Sequence, residues 1–142
     1  RVLLALPLIL LTALSIVVAR RNTLDNNVAL ARRQKAPKAA RRNIQLAKRA
    51  LHTKDEAAFH QAMWDALAEY FGHRLNLAPG EINCQTVLAR IPGESAALEH
   101  LFNTIEQRRY GIQSREGDPR DEMKVLLREL SSVFKQCERM KL

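Results

Sequence analysis

The chain has 142 residues and a formal net charge of +8 at pH 7, from 23 Lys/Arg against 15 Asp/Glu. Two cysteines are too few for a disulfide framework, and the five glycines read as helix punctuation, leaving no P-loop, dinucleotide fingerprint or GxSxG elbow. No catalytic class follows from the composition, so the placement of charge and apolar residues along the chain carries the reading.

From Val2 to Ala19 every residue is apolar except Thr12 and Ser15. Eighteen residues at about 1.5 Å each cover roughly 27 Å, close to the thickness of a bilayer's hydrocarbon core. A secretory signal has a shorter apolar core, about 7–15 residues, followed by a small-residue cleavage site. Here Val17-Val18-Ala19 runs straight into Arg20 and Arg21. Pro7 falls near the first turn, where proline costs least. A transmembrane helix over residues 1–20 is expected. The chain opens on arginine, so a larger part of the protein is expected to precede the span.

Between Arg20 and Lys54 eleven Lys/Arg stand against one acid, Asp25, a balance of +10; from Asp55 to Leu142 eleven basic residues meet fourteen acidic ones, a balance of −3. Positive charge close behind a span stays on the cytoplasmic side, so the remainder is expected to be cytoplasmic. Residues 21–39 are expected to form a basic juxtamembrane linker or helix, with a break or kink at Pro37. Arg20, Arg21, Arg32, Arg33, Lys35 and Lys38 are the candidates for contact with anionic lipid head groups. Nucleic-acid phosphates would also attract them, but no aromatic residue lies between Arg20 and Lys54 to stack on bases.

Beyond the linker the apolar spacing is helical. Ile44, Ala47 and Leu51 come first. Thr53, with Glu56 three residues later, has capping-box spacing ahead of Phe59, Ala62, Met63, Ala66, Leu67 and Tyr70. Cys84, Val87, Leu88 and Ile91 make a shorter set, then Leu98, Leu101, Phe102 and Ile105. Met123, Leu126, Leu127, Leu130, Val133, Phe134 and Cys137 make the longest, opened by Asp118 as N-cap and Pro119 at the first helical position. Breakers bound these sets: Gly72 and Pro79-Gly80, Pro92-Gly93, then Gly111 and Gly117. No stretch alternates with β-branched residues. The expected fold is all-α: the N-terminal span, the basic linker, and a bundle of about five helices over residues 40–142. The helix pair from Ala40 to Phe71 has the small residues of a tetratricopeptide hairpin, without a second copy.

Residues 79–110 have a helix-turn-helix rhythm, but the second helix opens on Glu94, Ser95, Ala96 and Ala97 where a DNA reader needs base contacts. An ordinary helical hairpin is expected; a membrane-tethered regulator binding nucleic acid through this pair is the alternative. His52, His60, His73 and His100 form no close ligand pair with one another or with Cys84 and Cys137, so no metal or other cofactor is expected. His52 beside Asp55 and Glu56 reads as a solvated residue at a turn, and both cysteines as packed thiols. The one polar–aromatic cluster is Arg108, Arg109 and Tyr110 with Glu106. It reads either as a Glu106–Arg109 ion pair with Tyr110 beneath, or as an anchor for a protein partner.

The order of span, basic linker, "AKRALHTKDEAAFHQAMWDALAEYF", "GEINCQTVLARI" and a helix ending "IEQRRYG" resembles the cytoplasmic C-terminal region of BatD-type aerotolerance proteins. The matching positions are Ala47, Ala50, Leu51, Asp55, Ala58, Phe59, Ala66, Leu67 and Tyr70, then Ile82, Leu88, Leu98, Leu101, Arg109 and Tyr110. Gly111-Ile112 departs from the small-residue-then-proline ending of that family. The resemblance implies a bacterial inner-membrane protein with β-sandwich periplasmic domains ahead of Arg1. It also implies a context of MoxR-type AAA+ ATPases and von Willebrand factor A domain membrane proteins in stress tolerance or envelope maintenance. The family carries no catalytic motif onto these residues. A non-enzymatic, membrane-anchored scaffold that docks protein partners is the expected function.

Overall fold

The computed structural model describes the backbone of residues 5–91, 93, 95–111 and 117–140, and the side chains of residues 15–16, 27–91, 93, 96–111 and 117–140. Pro92, Glu94, Ile112 and the side chains of Arg20 and Arg21 lie outside these residues. All regular structure among the described residues is helical: α1 (Ala5–Thr53), α2 (Glu56–Arg74), a 3-10 turn (Pro79–Glu81), α3 (Cys84–Leu88), α4 (Ser95–Arg109) and α5 (Pro119–Arg139).

The first departure from expectation is α1. It runs 49 residues and passes through Pro37 without a break. Proline at that position withholds one N–H and crowds the carbonyl of Arg33. Arg33 is exposed, so water can serve that carbonyl, while the half-buried proline ring lines a groove with Ala40, Ile44, Tyr70 and Phe134. One helix therefore carries both the expected linker and the start of the bundle, and burial begins at Ala36. Ahead of Ala36 the described side chains are exposed apart from half-buried Ala29. Among the described residues no helix is long and apolar enough to cross a membrane. The Val2–Ala19 run falls outside the described side chains except at Ser15 and Ile16.

Ala36, Ala40, Asn43, Ala47 and Ala50 form the buried face of α1, spaced by four and three. Small side chains on this face let α2 approach closely. The pair is antiparallel, since Arg42 bonds Glu69 at 3.1 Å and Arg32 reaches Asn76 at 3.0 Å. Between them Lys54 adopts a left-handed conformation with φ 59°. That turn leaves Asp55 as the extended N-cap of α2, its carboxylate accepting from the Ala58 N–H at 3.0 Å. Thr53, expected as the cap, is the last residue of α1, and its hydroxyl donates to the Ala50 carbonyl at 3.1 Å.

Gly72 is not a breaker. It sits buried inside α2, where an added Cβ would lie 3.0 Å from Cδ1 of Ile82. The missing side chain admits the Pro79–Ile82 segment, and α2 ends two residues later. The α3 helix is five residues long, capped by Asn83 on the Thr86 N–H at 2.8 Å. It follows α2 in the chain and packs on α4. The α5 start matches expectation: Asp118 accepts from the Arg120 N–H at 3.0 Å with Pro119 in the first turn.

The direction of each helix follows from its partners. Arg109 of α4 meets Gln61 and Trp64, and Phe102 meets Trp64 and Phe71, so α4 runs antiparallel to α2. Arg108 pairs with Glu122 and His100 faces Glu129 at 3.6 Å, so α5 runs antiparallel to α4. The result is an up-down-up-down bundle of α1, α2, α4 and α5. Its buried residues form one cluster, centred on Phe59, Tyr70, Phe71, Phe102, Leu130 and Phe134.

Candidate docking surface

Arg108, Arg109 and Tyr110 end α4 beside the α1–α2 turn, at the pole of the bundle farthest from the N-terminus of α1. The three side chains do different things. Arg108 is largely buried at 17% exposure, and its guanidinium donates to one Glu122 oxygen at 2.6 and 2.9 Å, tying α4 to α5. Such a charge-assisted pair is structural.

Arg109 is exposed and makes no ion pair with Glu106. Its Nε donates to Gln61 at 3.1 Å, and its guanidinium lies 5.2 Å from the Trp64 ring and 5.7 Å from the Tyr110 ring. The indole of a neighbouring helix draws the cation away from the carboxylate on its own helix. Tyr110 is 69% exposed, so it covers the guanidinium rather than packing beneath it. Trp64 is half-buried and rests edge-on against Phe102. The pole thus presents a layer of Trp64, Arg109 and Tyr110, with Trp64 backed by Phe102 of the core.

Beside this layer lies a cavity of about 600 Å³, lined by Glu56, His60, Gln61, Arg108, Arg109 and Glu122 among others. His60 is 8% exposed, and its Nδ1 is buried with no hydrogen-bond partner. Burial lowers its pKa below the ordinary histidine value; Glu122 opposes the shift, Arg108 reinforces it and Glu56 opposes it. Burial thus favours the neutral ring, which stands edge-on to Phe59 with ring centroids 5.3 Å apart. Among the described lining residues no nucleophile stands beside a base.

Gln61, Trp64 and His60 were not legible as parts of the surface. They belong to α2, and nothing local to α2 says that the end of α4 will lie across it. His60 follows Phe59 immediately and breaks the apolar spacing, which is the one signal present. Of the lipid candidates, Arg32 is engaged with Asn76, while Arg33, Lys35 and Lys38 are exposed on α1. His52 is exposed, Cys84 is half-buried and Cys137 buried, and neither cysteine forms a disulfide among the described residues. In the 79–110 pair, the five-residue α3 precedes an α4 whose exposed side carries Glu99 and Glu106. Comparison of the chain with family models, curated proteins and solved structures gives no match.

Proposed function

We propose that the chain is a non-enzymatic, membrane-anchored docking module, with the layer of Trp64, Arg109 and Tyr110 receiving a protein partner. The observation that carries this reading is the exposed Arg109, its guanidinium 5.2 Å from the Trp64 ring and 5.7 Å from the Tyr110 ring, with Trp64 edge-on to Phe102 of the core. Aromatic residues and arginine are the side chains most enriched at binding hot spots. The guanidinium keeps donors available for a partner carboxylate or carbonyl.

The sequence supports the anchor. The uncharged run from Val2 to Ala19 has the length of a span, and the basic excess behind it favours a cytoplasmic bundle. With the run inserted, Arg20 and Arg21 sit at the head groups. Arg32 lies about 18 Å farther along the helix and Lys38 about 27 Å, at 1.5 Å per residue. A Debye length of about 8 Å screens lipid charge over that distance. Lipid contact therefore narrows to the two arginines at the boundary. The resemblance to BatD-type proteins supports an inner-membrane context. MoxR-type AAA+ ATPases and von Willebrand factor A domain proteins are then the partner classes to test, with the α1–α2 hairpin as a single tetratricopeptide-like unit.

The experiment is crosslinked recovery of partners from bacterial membranes with the parent chain, Arg109→Ala and Tyr110→Ala, alongside thermal melts. Loss of a hot-spot contact costs about 2 kcal/mol, or more than tenfold in affinity. Equal recovery by fully folded variants rules this layer out. A cysteine at Asn26 that labels with an impermeant thiol reagent in intact cells rules out the orientation.

A further inference from the structure

We infer that copies of this chain associate side by side, the basic outer stripe of α1 (Arg41, Gln45, Lys48) in one copy lying against the acidic outer stripe of α4 (Glu99, Asn103, Glu106) in the next. This contact adjoins the docking layer, since Asn103 and Glu106 line one depression with Tyr110; it rests on the proposed membrane anchor but not on the docking role of that layer.

All six side chains are exposed and make no ion pair or hydrogen bond among the described residues. Both stripes have the same spacing: a charge, an amide four residues on, and a second charge three beyond that. Seven residues of helix cover about 10.5 Å in each case. Gln45 lies opposite the buried alanine face of α1, and Asn103 opposite the buried Leu98, Leu101 and Ile105 of α4, so both stripes point outward. The two helices lie on different flanks. Each packs on α2 and on α5, α4 packs also on α3, whose Cys84 lies near Glu99 and Glu106, and α1 and α4 make no substantial contact with each other.

The stripes are also level. Arg42 of α1 pairs with Glu69 of α2, and eight residues along, Ala50 stands at the height of Gln61, which Arg109 of α4 contacts. Counting back along the parallel helices α1 and α4, Lys48 comes within about a turn of the height of Glu106, and Arg41 of Glu99. A second copy displaced sideways, without tilt, brings Arg41 to Glu99, Gln45 to Asn103 and Lys48 to Glu106. Contact of α1 with α1 would set cation on cation. The association is therefore head-to-tail, closing as a ring or continuing as a row.

Exposed ion pairs are weak individually, so alignment matters. A helix anchored in a common bilayer holds every copy parallel and raises the local concentration. The charge complement, its spacing and its height all occur on this one chain, which favours a second copy over an unrelated acidic partner.

The test uses the full chain reconstituted in vesicles and mild oxidation. A variant carrying Gln45→Cys and Asn103→Cys together is expected to give a ladder of dimers and larger species. Each single substitution is expected to stay at the level of the parent chain. Adding Arg41→Glu and Lys48→Glu to the double-cysteine chain is expected to lower the yield by on the order of tenfold, because attraction becomes repulsion at both ends. Adding Glu99→Lys and Glu106→Lys as well, which exchanges the two stripes, is expected to restore it. Melts of each variant report whether the fold survives. No ladder from the double-cysteine chain, single variants that crosslink equally well, or failure of the exchanged charges to restore the yield would each overturn the inference.

Discussion

Replacing Pro37 with alanine tests whether α1 is one continuous element. In a helix interior, alanine is favoured over proline by about 3 kcal/mol, because the N–H returns and the ring no longer crowds the carbonyl four residues back. Three effects reduce that gain here. The unfolded chain regains freedom, worth about 0.4–1 kcal/mol. The ring loses two half-buried methylenes against Ile44, Tyr70 and Phe134, together about 0.8 kcal/mol. On an exposed turn the Arg33 carbonyl can be hydrated with the proline in place, so the restored hydrogen bond counts for less than a buried one. About 1 kcal/mol of stabilisation remains, a rise in Tm of roughly 4–6 °C for a bundle of this size. The assay is helical circular dichroism of the full chain in detergent, followed through thermal unfolding. An unchanged Tm would mean that the turns ahead of Pro37 do not melt with the bundle. A fall of several degrees would mean that the α1–α5 groove is built around the ring. Either result refutes the reasoning.

Three further outcomes are expected. Tyr70→Phe removes a hydroxyl that donates to Glu138 at 2.8 Å; Glu138 is 41% exposed and rehydrates, so the loss is about 1 kcal/mol, and an unshifted Tm would show that the bond contributes nothing. Because the folded state holds the His60 pKa below 6.5, the unfolded chain binds the proton first as pH falls, so stability declines from about pH 6.5 down towards the folded pKa. A His60→Gln chain should lose that part of the slope in Tm between pH 7.5 and 5, and an identical slope in both proteins would count against it. Lys54→Gly relieves a left-handed residue at φ 59° and should raise stability by up to about 1 kcal/mol, checked by denaturant midpoint; a lower midpoint would show that the lysine side chain contributes to the turn.

The apolar periods of α4 and α5 were legible because each helix buries one stripe: all four expected positions in α4 and all seven in α5 are buried. Ile44 and Leu51 on α1 are only half-buried, since the face that meets α2 is made of alanines and Asn43, which carry little hydropathy signal. Gly72 misled because glycine more often ends a helix than lies inside one, and the reason it lies inside is Ile82, ten residues away and on another segment. Thr53 had the right spacing for a cap, but the left-handed Lys54 moved the helix start by two residues. At the pole, the spacing of Glu106 and Arg109 was correct for an ion pair. It could not reveal a competing indole on α2, because that contact spans 45 residues of sequence.

The uninterrupted α1 also has a rotational consequence. A residue inserted between Val28 and Arg33 would turn everything after it by about 100° and advance it by 1.5 Å, whereas seven inserted residues would add about 10 Å and leave the azimuth nearly unchanged. Height and heading are thus separately adjustable properties of one helix, with no swivel between the apolar run and the bundle to average them out. Any surface that must face a neighbour at a fixed angle inherits its bearing from the residue count of this stalk. A ladder of alanine insertions there should make such a contact return with the period of the helix, whereas a flexible joint would give a smooth decline.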